Sequence, residues 1–290
     1  MSTEYIRPQG LDEALGLLQE RQDVTILAGG TDLMVDRRSE KIRPRCLLDV
    51  SRLPELRRIR TRDGVLEIGA AVTISELLAS GTIARMAPVL AGCARRFGSR
   101  QIRNVATIGG NVAHCAPCGD TIAPLLVHEA QAVVAAPGGT RTVDIGEMAG
   151  GPYQCILAPG ELIRCFRLKP CPAGVDLADF QKIGRRRELA ISRISMAAMV
   201  RLDDDGGVDF MRFAVGACTP TPHRFREVED FLLGRRPDEG LLWQAGRLAA
   251  DTMIAITGTR PSAAYKQPAV QGLFLRMMSP LLQPGRKSHA

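Results

Sequence analysis

An α+β chain of about two globular units is expected from this sequence, on three grounds. The length, 290 residues, corresponds to about two domains at roughly 150 residues each. It is also long enough to bury a core without disulfide or metal staples. Helical and β-like runs intermix up to about residue 170, after which strands are followed by helices. The balance of 45% hydrophobic and 24% charged residues is that of an ordinary globular protein and argues against disorder or a collagen-like repeat.

The elements follow in chain order. Leu11, Ala14, Leu15 and Leu18 recur at helical spacing, which predicts a helix over Leu11–Arg21. Val24–Ala28 is a β-like run that stops at Gly29 and Gly30, and Cys46–Val50 is a second short buried strand. Val65–Ile68 follows the turn Asp63-Gly64. Thr73 and Glu76 have capping-box spacing, so a helix starts near Thr73. Pro88–Phe97 is helical, and Gly98–Gly119 is glycine-punctuated and irregular. A helix over Thr121–Ala130 follows. Gln131–Ala136 and Arg141–Asp144 flank Pro137-Gly138-Gly139 as a hairpin. Glu161–Leu168 is a strand, and Lys169–Gly174 has the composition of a linker. Strands are then expected at Asp179–Ile183, Ile194–Leu202 and Val208–Val215, the last two joined by the acidic turn Asp203–Gly207. Helices are expected at Phe225–Leu233, Leu241–Met253 and Ser262–Met278, and the tail Pro280–Ala290 is expected to be mobile.

Composition narrows the function classes. Apolar runs such as Met196–Val200 are too short to span a bilayer. Residues Met1–Gly10 lack the apolar core of a secretory signal. Eight cysteines in such a chain are therefore expected to be reduced thiols, and the cytoplasm is the expected compartment. The net charge of +7 favours anionic partners. Nucleic acid is a weak candidate, because aromatic residues make up only 4% and stacking platforms are scarce.

Two glycine loops carry the chemistry. The first runs Ile26, Leu27, Ala28, Gly29, Gly30, Thr31, Asp32, Leu33. Glycine lets backbone approach a ligand closely, and the loop amides with the Thr31 hydroxyl suit a phosphate. Alone it reads first as a strand-to-helix turn, and it has neither the Gly-x-Gly-x-x-Gly nor the Gly-Lys-Ser/Thr phosphate pattern. The second loop runs Thr107, Ile108, Gly109, Gly110, Asn111 and continues through His114, Cys115 and Cys118 to Asp120. Asp120 suits a sugar hydroxyl or a helix cap. Two such loops together suggest a pyrophosphate clamped between two turns.

These loops resemble the two flavin-binding signatures of the medium, FAD-binding subunit of the molybdenum hydroxylases, which include xanthine dehydrogenase and carbon monoxide dehydrogenase. Ile68–Ile74 resembles the family segment between them. Phe180–Ser192, Gly216–Arg224 and Arg260–Lys266 are similar to patterns of the family's C-terminal domain, so the resemblance covers nearly the whole chain. It implies a two-lobed FAD-binding domain (PCMH-type), with lobes at 1–55 and 56–173, and a C-terminal domain of antiparallel strands and helices at 174–290. It implies that residues 26–33 and 107–111 wrap the FAD pyrophosphate, and that Phe97, Asp120, Ile163 and Lys182 lie at the flavin. Position alone favours a solvated strand residue at Lys182. His114 reads either as a cofactor contact or as a structural histidine.

The resemblance further implies an oxidoreductase subunit with no catalytic nucleophile of its own. By the same resemblance its partners would be a large molybdopterin-binding subunit and a small subunit with two [2Fe–2S] clusters, in a heterotrimer or its dimer. Electrons leave to NAD⁺ or another acceptor. A stand-alone FAD oxidoreductase of the same fold is the alternative, and a basic anion-binding protein is a weaker one. Cys115-Ala-Pro-Cys118 departs from the family pattern; it reads as inert thiols, a redox pair or half a metal site. No iron is expected on this chain. The clusters Arg37-Arg38, Arg95-Arg96 and Arg185–Arg187 read as solvated charge or as docking sites.

Overall fold

The computed structural model describes residues 3–186 and 190–282. Arg187 of the triple-arginine run and residues 283–290 of the expected tail lie outside the described residues.

The first unit is a small parallel sheet. Strands Glu4–Ile6 and Val24–Leu27 both pair with the central strand Cys46–Asp49. The helix Leu11–Glu20 makes the crossover and buries Ala14 and Leu15, as its spacing predicts. These side chains meet Leu48, Val50, Leu53 and Leu56 in one apolar cluster. The cluster also takes in Ala71, Ala135 and Leu162 from the next unit, so the two units share packing.

The second unit is a five-stranded antiparallel sheet with helices against it. Its strands run in the order Ile59–Arg62, Val65–Gly69, Leu162–Leu168, Gln131–Ala136, Gly139–Asp144. The last two form the hairpin expected around Gly138, whose φ of +95° is a glycine conformation. The capping box is present: the Thr73 hydroxyl accepts from the Glu76 amide, and the Glu76 carboxylate accepts from the Thr73 amide. The stretch 98–119, expected to be irregular, instead holds two short helices, Arg100–Val105 and Ile108–Ala113. Ser99 and Thr107 cap them by accepting from the Ile102 and Gly110 amides. Six-residue helices have too few turns to show a periodic stripe, which is why the sequence pattern is silent there.

The third unit is an antiparallel sheet, in the order Leu177–Gly184, Ser192–Leu202, Val208–Gly216, His223–Arg224. Ile194, Met196, Ala198 and Val200 face the helices Glu239–Thr257 and Ala263–Met278. Ala197 and Met199 join a different cluster with Val89, Cys93 and Val127 of the second unit. With both faces covered, the central strand reads as a nearly continuous apolar run rather than an alternating one. Phe213 packs edge-on against Phe225 and Phe274, with centroids 6.1 and 5.2 Å apart.

A charged seam joins the second and third units. Glu129 takes Lys169 at 2.9 Å, Arg212 at 2.8 Å and Arg224 at 3.1 Å, and Arg224 also holds Glu229 at 2.6 Å. Arg96, in one of the expected basic clusters, bonds the Phe180 carbonyl and Asp179 instead of standing free in solvent. Beside this seam His128 is fully buried. Its Nδ1 lies 3.3 Å from the Lys169 carbonyl, and its Nε2 has no partner among the described residues. Burial and Arg212 both disfavour the imidazolium, so the group is pushed down from 6.5 to about 4, against the Lys169 carbonyl that favours it.

The unfolded chain therefore binds more protons than the folded one between those two values. The pH window follows from the linkage: stability contributed by neutral His128 is intact near pH 7 and is lost progressively as pH falls from 6.5 toward about 4. Urea midpoints measured across that range are expected to fall for the wild type. In His128→Gln the slope is expected to flatten, and an unchanged slope would contradict the assignment.

Candidate functional site

The first and second units meet at their glycine loops, and the contact is backbone to backbone. A Cβ built on Gly29 would stand 2.1 Å from the Val105 carbonyl oxygen and 2.9 Å from the Ala106 Cα. No L side chain fits there. One on Gly109 would stand 2.6 Å from the Ala70 carbonyl oxygen. One on Gly69 would stand 2.2 Å from the Leu56 carbonyl oxygen. Glycine at these positions is a packing requirement between stretches of main chain. Hydrogen bonds run along the same seams: Gly109 donates to Ala70 at 2.8 Å, Ile108 to Val72 at 3.0 Å, and Ile74 to Ala106 at 3.0 Å.

These approaches leave a cleft between the units with a volume of about 280 Å³. Its walls include Ile26, Ala28, Gly29, Gly30, Thr31, Asp32 and Leu33 from the first loop. Thr107, Gly109, Gly110, Asn111 and His114 come from the second, and Phe97 and Ile163 complete the expected set. Leu27, Ile108, Asp120 and Lys182 do not line it. Ile108 belongs to the core of the second unit. The sequence reading missed Asp36, Val50, Leu56, Ala70, Ala71, Leu157 and Leu162 on the walls. Ala70 and Ala71 fall inside the segment Ile68–Ile74, which carried a signal; Leu56 and Leu157 carried none.

The two loops differ in what they offer a ligand. In the second, the amides of Ile108, Gly109, Gly110 and Asn111 are spent on Val72, Ala70, the Thr107 hydroxyl and the Thr107 carbonyl. Its close backbone approach serves the protein, not a ligand. In the first, the amides of Gly29, Gly30, Thr31 and Asp32 find no acceptor among the described residues. Gly30 stands at φ +69°, a left-handed conformation that suits a concave turn of amides. Opposite, the walls are apolar: Ile26, Val50, Leu56, Leu157, Leu162 and Ile163.

Asp120 is buried beside the second loop. Its carboxylate takes the Lys182 ammonium at 2.6 Å and the Ser192 hydroxyl at 2.5 Å. Lys182 is only 13% exposed, so the solvated-strand reading is replaced: the strand Leu177–Gly184 carries it across the seam to Asp120. Nor does Asp120 cap the next helix, whose N-cap is Thr121. Thr121 donates through its amide (3.1 Å) and hydroxyl (2.6 Å) to the Asn111 side-chain oxygen, which leaves the Asn111 amide nitrogen for the cleft.

His114 has an edge-on contact with Tyr153, centroids 5.3 Å apart, and its Nε2 is 3.9 Å from Asp32. Cys115 is buried, its thiol donates to the Val112 carbonyl at 3.2 Å, and Cys155 lies beside it. Burial, with Asp120 and Asp32 nearby, pushes the Cys118 thiol up. Among the described residues no group of three or more His, Cys, Asp or Glu is arranged to hold a metal ion, and no helix is long and apolar enough to cross a membrane.

An amide-lined turn beside an apolar slot is the chemistry that a nucleotide cofactor requires. Residues 1–168 match the FAD-binding domain of molybdopterin dehydrogenases, and residues 179–281 match the C-terminal domain of the CO dehydrogenase flavoprotein. The chain belongs to this family of FAD-binding medium subunits of the molybdenum hydroxylases, and is thus an oxidoreductase subunit. It is 36% identical to the xanthine dehydrogenase FAD-binding subunit of Escherichia coli O157:H7, over 78% of this chain and 77% of that one. It is 29% identical to the nicotinate dehydrogenase FAD-subunit of Eubacterium barkeri, over 96% of each chain. A solved structure of carbon monoxide dehydrogenase from Hydrogenophaga pseudoflava superposes with a TM-score of 0.89 at 28% identity, covering 97% of each chain.

Removing the Asp120 carboxylate strands a buried ammonium. Asp120→Ala is expected to destabilise the fold by about 3 kcal/mol, because the charge left behind has no compensation. The double variant Asp120→Ala with Lys182→Met is expected to recover most of that loss in thermal unfolding. Equal melting temperatures for wild type and Asp120→Ala would contradict the pairing.

Proposed function

We propose that this chain is the FAD-holding electron-transfer subunit of a molybdenum-containing hydroxylase or dehydrogenase. In this reading it receives electrons from the [2Fe–2S] clusters of a small partner subunit, while a large molybdopterin-binding subunit handles the substrate. It delivers them to NAD⁺ or another acceptor. The observation that carries the cofactor assignment is the run of unsatisfied amides at Gly29, Gly30, Thr31 and Asp32 beside an apolar slot. A pyrophosphate requires donors, and an isoalloxazine ring requires an apolar wall.

The roles divide by residue. The first-loop amides, with the Thr31 hydroxyl, hold the pyrophosphate oxygens, an anionic acceptor for donors that have none within the protein. Asn111 presents its amide nitrogen, because its oxygen is committed to Thr121. Ile26, Phe97 and Ile163 form wall and exclude water. Leu27 and Ile108 support the loops from behind. His114 sits at the cleft with its ring steadied by Tyr153. Asp120 and Lys182 act at one remove: their pair ties the end of the second loop to the C-terminal sheet and sets where that loop stands. Bound there, FAD supplies the redox chemistry. Cytoplasmic residence of the complex fits this reading and its reduced thiols.

The purified chain is expected to be yellow, with about one flavin per chain by absorbance. Gly110 lines the cleft, and its Cβ would meet the Thr107 hydroxyl at 2.9 Å. Gly110→Val is therefore expected to lower flavin content at least ~10-fold, a loss of about 1.4 kcal/mol or more, with the circular dichroism unchanged. Full flavin content in that variant would count against the cleft as the cofactor site.

A further inference from the structure

The hairpin of Ala149–Gly151 and Gln154–Cys155 lies against the turn that follows the second glycine loop. Two contacts pin it there. The Tyr153 amide donates to the Cys115 carbonyl at 2.9 Å. The Cys115 Sγ lies 3.5 Å from the Met148 carbonyl, to which the Ile156 amide also donates at 3.1 Å. Cys115 thus contacts Tyr153, two residues before Cys155, and Met148, which precedes the residue paired with Cys155, so the two thiols are neighbours.

We propose that Cys115 and Cys155 are a peroxide-responsive thiol pair that closes to a disulfide and fastens this hairpin to the rim of the cofactor cleft. His114 and Leu157, next in sequence to Cys115 and two residues beyond Cys155, both line the cleft, and Tyr153 at the hairpin tip packs on His114. The bond is therefore placed to fix that rim. Its formation does not require flavin, so the pair stands apart from the cofactor assignment.

The two sulfurs have different environments. Cys155 is half-buried and accessible, with the Cys115 thiol and the Leu157 amide beside its sulfur and Arg141 adding positive potential. These donors favour its thiolate and pull it below the ordinary thiol range. Cys115, buried and acting as donor, is pushed up and stays protonated. Cys155 is then the attacking sulfur. Its thiolate attacks one oxygen of hydrogen peroxide, the O–O bond breaks, and Cys155 sulfenic acid and hydroxide form. The Cys115 sulfur attacks the sulfenic sulfur, the S–O bond breaks, and a second hydroxide leaves. The two protons, one from each original thiol, convert both hydroxides to water. Two thiols and one peroxide thus give one disulfide and two waters, and a dithiol reverses the change.

The full-length flavin-loaded protein, treated with one equivalent of hydrogen peroxide, alkylated and digested with trypsin, provides the test. Cleavage at Arg103, Arg141 and Arg164 puts Cys115 and Cys118 on peptide 104–141 and Cys155 on peptide 142–164. The expected product is these two peptides cross-linked. The cross-link persists in Cys118→Ala and is absent in Cys155→Ser, and dithiothreitol reverses it. Without peroxide, iodoacetamide at pH 7 is expected to label Cys155 at least ~10-fold faster than Cys118. A wild-type digest with all eight thiols reduced, a Cys115–Cys118 link, or sulfinic acid at Cys155 without a cross-link overturns the proposal.

Discussion

Everything at the cleft depends on how closely two stretches of main chain can lie. Gly29 rests on the Val105–Ala106 backbone at a distance that no Cβ permits, and Gly109 rests in the same way on Ala70. Gly69 against Leu56 repeats the arrangement one step further back. The Gly29 contact sets the separation of the first two units, and so the width of the slot between them. These contacts also decide which amides are free. Once the second loop is sewn to residues 70–74 its donors are consumed, and only the first loop keeps amides facing outward. A pair of glycine loops that look alike in sequence therefore differs: one spends its amides within the protein, and the other has amides with no acceptor among the described residues.

The third unit stabilises this arrangement without lining it. Its sheet is buried on both faces, one against its own helices and one against the helices of the second unit. The Lys182–Asp120–Ser192 cluster pins the turn after the second loop, and the Glu129 cluster pins the loop after the helix Ile122–Val127. Charges at such a seam contribute less through net stability than through fixing register, because desolvation offsets much of their attraction. The C-terminal domain thus acts on the cleft through the position of the second loop, not by lining it.

Much of this was legible in the sequence. Period and capping signals located the long helices, the hairpin at Gly138 and the start at Thr73, because each rests on interactions within a few residues. That residues of two glycine loops wall one cleft, and that the family binds FAD, could be read from paired glycines and from family resemblance. What was not legible depends on long-range contact. Lys182 looks like a solvated strand lysine until the fold brings Asp120, 62 positions away, to 2.6 Å. Cys155 has no local motif, and only the hairpin's placement against Cys115 distinguishes it. The unequal roles of the two Gly-Gly loops could not be read either, since which amides are spent is decided by residues 70–74.

The central claim is that the first loop recognises a pyrophosphate. The most direct measurement compares equilibrium binding of FAD and riboflavin to the apoprotein by flavin fluorescence. Riboflavin keeps the ring but lacks the pyrophosphate. If the Gly29–Asp32 amides hold that group, riboflavin binds at least about 100-fold more weakly, the equivalent of losing two charge-assisted hydrogen bonds. Equal affinities would contradict the account, because the ring alone would then carry the binding and the open amides of the first loop would have no role in it.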